Sequence, residues 1–548
     1  MDRDEEARAH MSDDEKLPRR GGARTTAWLP DLVYADNRFR PDLALVTDER
    51  TGRVISVAPA GEHGAGRVVR LKNRALLPGM VNAHSHAFQR VIRGRTEFRS
   101  SERDSFWTWR EQMYSAATRL SPEDLYDASR MAYLEMALSG VTSVGEFHYL
   151  HHNADGAPYD DPNLLAKQVV RAARDAGLRV ALLRVAYARS GFNAPPNERQ
   201  RRFITSDAQA FIKHSDDLRS ALARDADARG GERGAESRGD ERDANSRGDE
   251  GDASSRSVEV RSAWLGVAPH SVRAAPLDYV REVCAYARAQ ALPVHMHVAE
   301  QPAEVEACRA EHGRAPVELL AGEGLLDGRF TAVHAVHVGA GEARSLARAR
   351  AHVCACPTTE RNLGDGVVPA DLFFNAGARV ALGTDSHAQI DLLEDAREME
   401  LNLRLAKLSR AVLAPEQDAA AGADGEDAGA GTSRAGGNSD QQPSQISSLA
   451  ARLFDCATAH GASSIGAHSG ALEAGRAADF FTVALDDPSI AGAGADDLLA
   501  CVVFSLARAA VREVCVGGRL VVEDGRHPAQ GEIVARFTAL QRRLWDDP

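Results

Sequence analysis

The sequence predicts an α/β fold: a closed (β/α)₈ TIM barrel with a small β-sandwich domain formed from both chain ends. Eight short apolar runs rich in β-branched residues alternate with longer helical patterns, and strand-like alternation without helices occupies both ends of the chain. Polar residues collect where the eight runs end. Alternating strand and helix patterns are typical of a parallel sheet, and eight parallel strands can close into a barrel.

Each apolar run has the length of a strand and is separated from the next by a helical pattern. In chain order the runs are "LLPGMVNAHSH" (76–86), "VTSVGEFHYL" (141–150), "RVALLRVAYA" (179–188), "AWLGVAPHS" (263–271), "LPVHMHVAE" (292–300), "FTAVHAVHV" (330–338), "AHVCACPTT" (351–359) and "RVALGTDSH" (379–387). They lie within a predicted barrel domain at 78–465, apart from the first two residues of the first run.

The two chain ends share a β character. Alternation in residues 25–77, as in "DLALVTD" and "GRVVRLKN", returns in residues 466–530, as in "ADFFTVAL". One small sandwich assembled from both segments is therefore predicted. A disordered tail at 1–24 and a C-terminal helix at 531–548 complete the predicted organisation.

Two polar segments interrupt the barrel pattern at 223–257 and 416–446. Neither has the apolar periodicity that could offset the entropy lost on ordering, so both are predicted to be disordered inserts. The near-repeat "SRGDERDANSRGDEGDASSR" in the first insert could alternatively be a binding tract.

Charge and composition exclude several classes of protein. The formal net charge of −13 argues against a nucleic-acid binder, which needs a basic face. The seven cysteines form no dense framework, which indicates a reducing compartment. The opening stretch "MDRDEEARAHMSDDEK" lacks the apolar core of a signal peptide or anchor, and no later run could span a bilayer. We therefore expect a cytoplasmic enzyme.

Candidate metal ligands lie at three of the strand ends. His84 and His86 are two residues apart on the first strand, so both imidazoles project to the same side and can bind one ion. Taken alone, such a pair is more often structural or accidental than a metal site. The fifth strand adds His295 or His297, which share a side, and the position nearer the carboxyl end favours His297. Asp385, at the end of the eighth strand, supplies a carboxylate.

The motifs "PGMVNAHSHAFQR", "HMHVAE", "VHAVH" and "GTDSH" resemble the aminohydrolase branch of the amidohydrolase superfamily. Within that branch, "DSFWTWREQMY", "EFHYLHH", "VAPHSVRA" and "CPTTERNLGDG" are similar to the family of N-formimino-L-glutamate deiminases. The match covers nearly all of residues 25–530 apart from the inserts. It implies the metal ligands His84, His86, His297 and Asp385.

The resemblance also implies the chemistry. Asp385 would take a proton from the attacking water, His334 would stabilise the tetrahedral centre, and Glu300 would protonate the departing nitrogen. The products would be N-formyl-L-glutamate and ammonia, as in histidine degradation. A homodimer is also implied.

One metal ion is expected rather than two. Binuclear members of the superfamily bridge their metals with a carboxylated lysine, commonly at the end of the fourth strand, and "AWLGVAPHSVRA" has no lysine. The resemblance favours Zn²⁺, although three histidines and an aspartate also suit iron or manganese.

The implied substrate has two carboxylates, for which guanidinium groups are the natural partners. Arg110 follows the first strand and Arg273 follows the fourth, and the resemblance adds Gln89, Tyr149 and His270 as hydrogen-bonding neighbours. The alternative for either arginine is an ordinary solvated side chain.

Two other functions stay open at this point. A related aminohydrolase could act on a heterocycle such as guanine, whose site would not need two converging arginines. A barrel that had lost its chemistry and serves as a binding protein is the second alternative, although every expected ligand is present in the sequence.

Overall fold

The computed structural model describes residues 25–97, 106–236, 260–415 and 445–546. The predicted tail at 1–24, residues 237–257 of the first predicted insert and 416–444 of the second lie outside these ranges. No helix among the described residues is both long enough and apolar enough to cross a membrane.

Sixteen strands lie in the described part of the chain. They are β1 (Thr25–Ala35), β2 (Arg38–Arg40), β3 (Leu43–Asp48), β4 (Arg53–Pro59), β5 (Arg67–Pro78), β6 (Met80–Ser85), β7 (Val141–His148), β8 (Arg179–Ala186), β9 (Ala263–Pro269), β10 (Val294–Val298), β11 (Phe330–His334), β12 (His352–Ala355), β13 (Arg379–Leu382), β14 (Phe480–Ala484), β15 (Val511–Val516) and β16 (Arg519–Val522).

Helices fill the connections between the barrel strands and continue after them. They are α1 (Phe106–Arg119), α2 (Pro122–Leu138), α3 (Leu164–Asp175), α4 (Ala208–Glu236), α5 (Leu277–Gln290), α6 (Pro302–His312), α7 (Pro316–Gly322), α8 (Ala340–Arg348), α9 (Pro357–Leu363), α10 (Ala370–Ala376), α11 (Leu392–Lys407), α12 (Gln445–Ala457), α13 (Ala459–Ser464), α14 (Leu498–Ser505) and α15 (Gln530–Trp545). Short 3₁₀ segments occupy Ala87–Ile92, Glu198–Gln200 and Arg508–Ala510.

The predicted barrel is confirmed. Strands β6 to β13 form one sheet in sequence order, and every neighbouring pair is parallel. Nearly all of their residues are buried, since one face packs inside the barrel and the other against the helices. This double burial explains why the runs read as almost continuous apolar stretches.

Backbone hydrogen bonds join the first and last barrel strands. The His86 amide donates to the Asp385 carbonyl at 3.0 Å, and the Asp385 amide donates to the His84 carbonyl at 3.1 Å. We call this junction the closing seam. A glycine is required beside it, because a Cβ built on Gly383 would lie 2.7 Å from the Cβ of His84.

The second sheet comes from both ends of the chain, as expected for the small β domain. Its strand order is β16-β15-β14-β5-β1-β3-β4, with β2 paired to β1. Trp28, Leu45, Leu71 and Phe480 contribute to a core of its own. Strand β5 ends at Pro78 and β6 begins at Met80, so this sheet leads directly into the barrel.

Part of the first predicted insert is helical, because helix α4 continues to Glu236 and thus includes residues 223–236. Alanine, arginine and acidic residues alternate at 223–229, and such residues favour a helix locally without an apolar face. Helix α12 likewise begins at Gln445, within the second predicted insert.

Candidate metal centre and active site

Four predicted ligands meet at the carboxyl ends of three strands. His84 lies in β6 and His86 directly follows it, His297 lies in β10, and Asp385 comes just after β13. All four are buried, and one possible ligand atom from each lies within 4.8 Å of the others.

The spacing of these atoms suits one ion. The Nε2 atoms of His84 and His86 are 3.2 Å apart, and each lies 3.1 Å from Oδ1 of Asp385. Two nitrogens bound tetrahedrally to the same zinc ion would be about 3.3 Å apart. The atoms of His84, His86 and Asp385 therefore have the spacing of donors to one divalent ion, and a ligand atom of His297 lies within 4.8 Å of them.

Hydrogen bonds on the far side of two rings turn their Nε2 atoms towards the centre. Nδ1 of His86 lies 3.0 Å from the Phe147 carbonyl, and Nδ1 of His297 lies 3.2 Å from the His270 carbonyl. Because a carbonyl only accepts, each Nδ1 carries the proton and Nε2 keeps its lone pair.

The protonation states also suit a cation. Burial lowers the pKa of His84 to about 3 and that of His297 well below its usual value, so both rings are neutral. Burial raises the pKa of Asp385, but the neighbouring His84 and His86 side chains outweigh it and hold that pKa well below the usual range. The aspartate is therefore a carboxylate.

Glu300 and His334 stand beside the four ligands. Oε1 of Glu300 is 3.6 Å from Nε2 of His334, and both side chains are buried. The His334 ring stacks on His297 with centroids 5.3 Å apart. Burial lowers the pKa of His334, but the charges of Glu300, Glu360 and Asp385 outweigh this effect and raise it well above the usual value.

Glu360 of α9 is a site residue that sequence reasoning missed. Its Oε1 lies 3.4 Å from Nδ1 of His334 and accepts the Cys356 amide at 2.9 Å. The side chain is almost completely buried. Glu360 thus faces the side of His334 opposite Glu300. Its only signal in the sequence is its position in "CPTTERNLGDG", directly after the seventh strand.

Left-handed backbone conformations recur at these strand ends. The φ angles are 52° at Ala299, 68° at His334, 43° at Asp385 and 60° at His387. Non-glycine residues rarely adopt this conformation because it costs free energy. It persists where the surrounding structure holds the chain firmly.

The predicted substrate residues line one pocket together with the metal centre. Gln89, Arg110, Tyr149, His270 and Arg273 all face it, as do His86, His297, Glu300 and Asp385. The Gln89 amide donates to the Tyr149 hydroxyl at 2.9 Å. The pocket therefore brings both predicted guanidinium groups to the same cavity as the candidate catalytic groups.

Arg273 is held in this pocket as a cation. Its side chain is buried, which lowers its pKa, but the charges of Glu304 and Glu300 outweigh burial and raise it. Arg110 is half-buried, with its Cζ 5.5 Å from the centroid of the Tyr114 ring. Both arginines thus differ from the solvated side chains that were the alternative.

Aromatic residues complete the pocket wall. Tyr114, Tyr187 and Phe203 line it, and the Gln200 amide donates to the hydroxyls of Tyr114 and Tyr187 at 2.6 and 2.9 Å. Sequence reasoning missed these residues, although Tyr187 directly follows a barrel strand and could have been found by that position. No lysine in the described part of the chain lines the pocket.

Comparisons with known proteins agree with this architecture. The amidohydrolase family pattern matches residues 75–428. A formimidoylglutamate deiminase of Pseudomonas aeruginosa is 36% identical over 473 residues, which cover 86% of this chain and 90% of that protein. A 5-methylthioadenosine/S-adenosylhomocysteine deaminase of Natronomonas pharaonis is 27% identical and covers 88% of each chain.

Two solved structures share the fold. An amidohydrolase from Brucella melitensis is 31% identical with a TM-score of 0.75, over 95% of this chain and 99% of that one. An adenosine deaminase from Xanthomonas campestris, solved with bound zinc, is 19% identical with a TM-score of 0.70, over 95% and 98% of the chains.

Proposed function

This chain belongs to the amidohydrolase family and is a hydrolase of C–N bonds, and we propose that it converts N-formimino-L-glutamate and water to N-formyl-L-glutamate and ammonia. The observation that carries the proposal is the convergence of Arg110 and Arg273 on the pocket of the metal centre. Two guanidinium groups suit the two carboxylates of this substrate. The similarity to a formimidoylglutamate deiminase supports the same substrate.

A divalent ion, which we propose to be zinc, would be held by His84, His86, His297 and Asp385. When bound it supplies Lewis-acid activation of water at neutral pH. Iron and manganese suit the same donors and are alternatives.

The protein side chains handle the protons of the reaction. The Asp385 carboxylate accepts a proton from the attacking water, and Glu300 delivers a proton to the nitrogen that leaves as ammonia. His334, as an imidazolium beside Glu300, stabilises the negative charge that develops at the tetrahedral carbon. Arg110 and Arg273 bind the substrate carboxylates, while Gln89, Tyr149 and His270 orient the chain between them.

The proposal extends to the cellular setting. We expect a cytoplasmic enzyme of histidine degradation that acts as a homodimer and binds neither nucleic acid nor membranes. Light scattering of the purified protein tests the dimer directly, since a monomer or tetramer would contradict it.

One experiment tests ion, reaction and substrate together. Metal analysis of the purified protein should find about one divalent ion per chain, and ammonia should be released from N-formimino-L-glutamate. Guanine and 5-methylthioadenosine serve as competing substrates. Turnover of a ring compound alone would refute the substrate assignment, and no turnover of any of them would favour a non-catalytic barrel.

Asp385→Ala should abolish ammonia release, because it removes both a metal ligand and the proton acceptor. Asp391→Ala is a suitable comparison, since Asp391 caps α11 through its Oδ1 and lies outside the metal centre. It should cost stability and leave most turnover intact. Full activity of Asp385→Ala would remove the proposed mechanism.

A further inference from the structure

A second cluster of possible metal ligands lies beside the first, between the sixth and seventh barrel strands. It consists of His334, the last residue of β11, Cys356, which directly follows β12, and Glu360 of α9. All three are buried, and one donor atom from each lies within 4.8 Å of the others. We call these three residues the thiol cluster.

Their chemistry suits zinc and other ions that prefer sulfur. Imidazole, thiolate and carboxylate are the three kinds of ligand that zinc takes from proteins, at about 2.0–2.3 Å. Donors around one tetrahedral ion are therefore roughly 3.3–3.8 Å apart. The observed 3.4 Å between His334 and Glu360 already meets this spacing, so that a modest inward movement of Cys356 would complete the set.

The donors of the thiol cluster are weakly committed to other partners. The Cys356 sulfur has a long contact of 3.9 Å with the Cys354 carbonyl. Nδ1 of His334, the ring nitrogen that faces the cluster, has its 3.4 Å contact with Glu360, which belongs to the same cluster. A metal ion would therefore displace few existing interactions.

A further buried carboxyl group lies outside the three donors of the cluster. Asp365 follows α9 and is 3% exposed, and its Oδ2 has no hydrogen-bond partner within the described ranges. Its Oδ1 accepts the Gln301 amide. A buried carboxylate oxygen without a partner is unusual and indicates a place for a cation or a water molecule.

We propose that His334, Cys356 and Glu360 form a second, weaker metal site that takes zinc after the first site has filled, and that this second ion inhibits the enzyme. It is weaker because it has three assured protein donors instead of four and because its thiol must lose a proton on binding. Inhibition rests on the proposed function, in which His334 stabilises the reacting centre and cannot do so while it binds a metal.

Cobalt titration of the metal-free protein tests the site without measuring activity. A thiolate ligand gives Co²⁺ an intense charge-transfer absorption in the near ultraviolet, whereas the first site contains no sulfur. The first equivalent should add only weak visible bands, and the second should add the thiolate band. No thiolate band at excess cobalt in the wild-type protein would overturn the proposal.

Two cysteine variants locate the absorption. Cys356→Ser should keep the bands of the first equivalent and lose the thiolate band. Cys354→Ser is the matched control, because Cys354 lies two residues earlier and is equally buried but is not part of the cluster, and it should keep the band. A band that persists in Cys356→Ser would place the ion on another cysteine and refute the assignment.

Inhibition is measured separately. Excess zinc should slow ammonia release by the wild-type enzyme, and the same excess should slow Cys356→Ser at least tenfold less. A thiolate band without zinc inhibition would uphold the metal site and contradict the role given to His334. If the enzyme released no ammonia at all, the proposed substrate would be contradicted. The cobalt titration would still decide whether the second metal site exists.

Discussion

Glu360 shows how a residue outside the pocket can set the orientation of a side chain beside the metal centre. Its carboxylate faces Nδ1 of His334, and we expect Glu360→Gln to lower kcat about 10- to 100-fold with little change in KM. The glutamine oxygen can still accept the Cys356 amide, so the start of α9 is kept while the charge behind the imidazole is lost.

Asp395→Ala separates this effect from simple damage to α9. Asp395 accepts the amide and hydroxyl of Thr358 and thereby holds the same helix, but it does not face His334. It should lower the unfolding temperature while changing kcat less than Glu360→Gln does. Equal losses of kcat in both variants would mean that Glu360 acts only through the fold of α9.

Arg273→Lys tests substrate recognition at the same scale. A lysine keeps the charge but loses the two-pronged hydrogen bonding of a guanidinium, so KM for N-formimino-L-glutamate should rise about 10- to 100-fold. Arg281→Lys is the control, since Arg281 pairs with Glu323 on the exposed surface. Steady-state kinetics of both variants give the two KM values. An unchanged KM for Arg273→Lys would show that Arg273 does not bind a substrate carboxylate.

A site residue could be predicted from the sequence where its position depends on a local pattern. The two-residue period of a strand was enough to put His84 and His86 on one side, and strand order was enough to bring them towards Asp385. Glu360 and Gln200 could not be found in this way. Their roles depend on how α9 turns back to the sixth strand and how the segment at Glu198–Gln200 meets two tyrosine hydroxyls.

At the scale of elements, the approach of the first and eighth strands depends on one glycine. Gly383→Ala would place a methyl group 2.7 Å from the Cβ of His84, so we expect about 2 kcal/mol of lost stability and weaker metal retention. Gly531→Ala is the control, because nothing lies within 4 Å of a Cβ at that position. Thermal unfolding and metal analysis compare the two variants. Equal unfolding temperatures and equal metal contents would show that the closing seam can accommodate the added methyl group.

Helix positions were predicted less completely than strands. The extension of α4 to Glu236 was not predicted because its sequence lacks an apolar face. The role of α15 was not predicted either. Its Gln541 and Trp545 donate to the Val91 carbonyl at 3.0 and 3.3 Å, and thereby support the 3₁₀ segment that carries Gln89. Such hydrogen bonds between residues 450 positions apart leave no periodic trace in the sequence.

For the whole molecule, the first metal site should contribute to stability as well as to chemistry. Its ligands come from both sides of the closing seam, so an ion that binds only the folded chain stabilises the closed barrel. Removal of the metal with a chelator should lower the unfolding temperature, and restored zinc should recover it. An unfolding temperature independent of metal would mean that the seam is held by its hydrogen bonds alone.

The closing seam also determines when, during synthesis, the first metal site can form. Ser85 and His387, which flank the ligands on the two sides of the seam, are 302 positions apart in the chain and share a hydrogen bond of 3.1 Å. A nascent chain that has not yet reached residue 385 holds at most three of the four ligands. Loading of the complete first site therefore requires a polypeptide that extends past β13, and fragments that end before β13 should leave the ribosome without the ability to retain the ion.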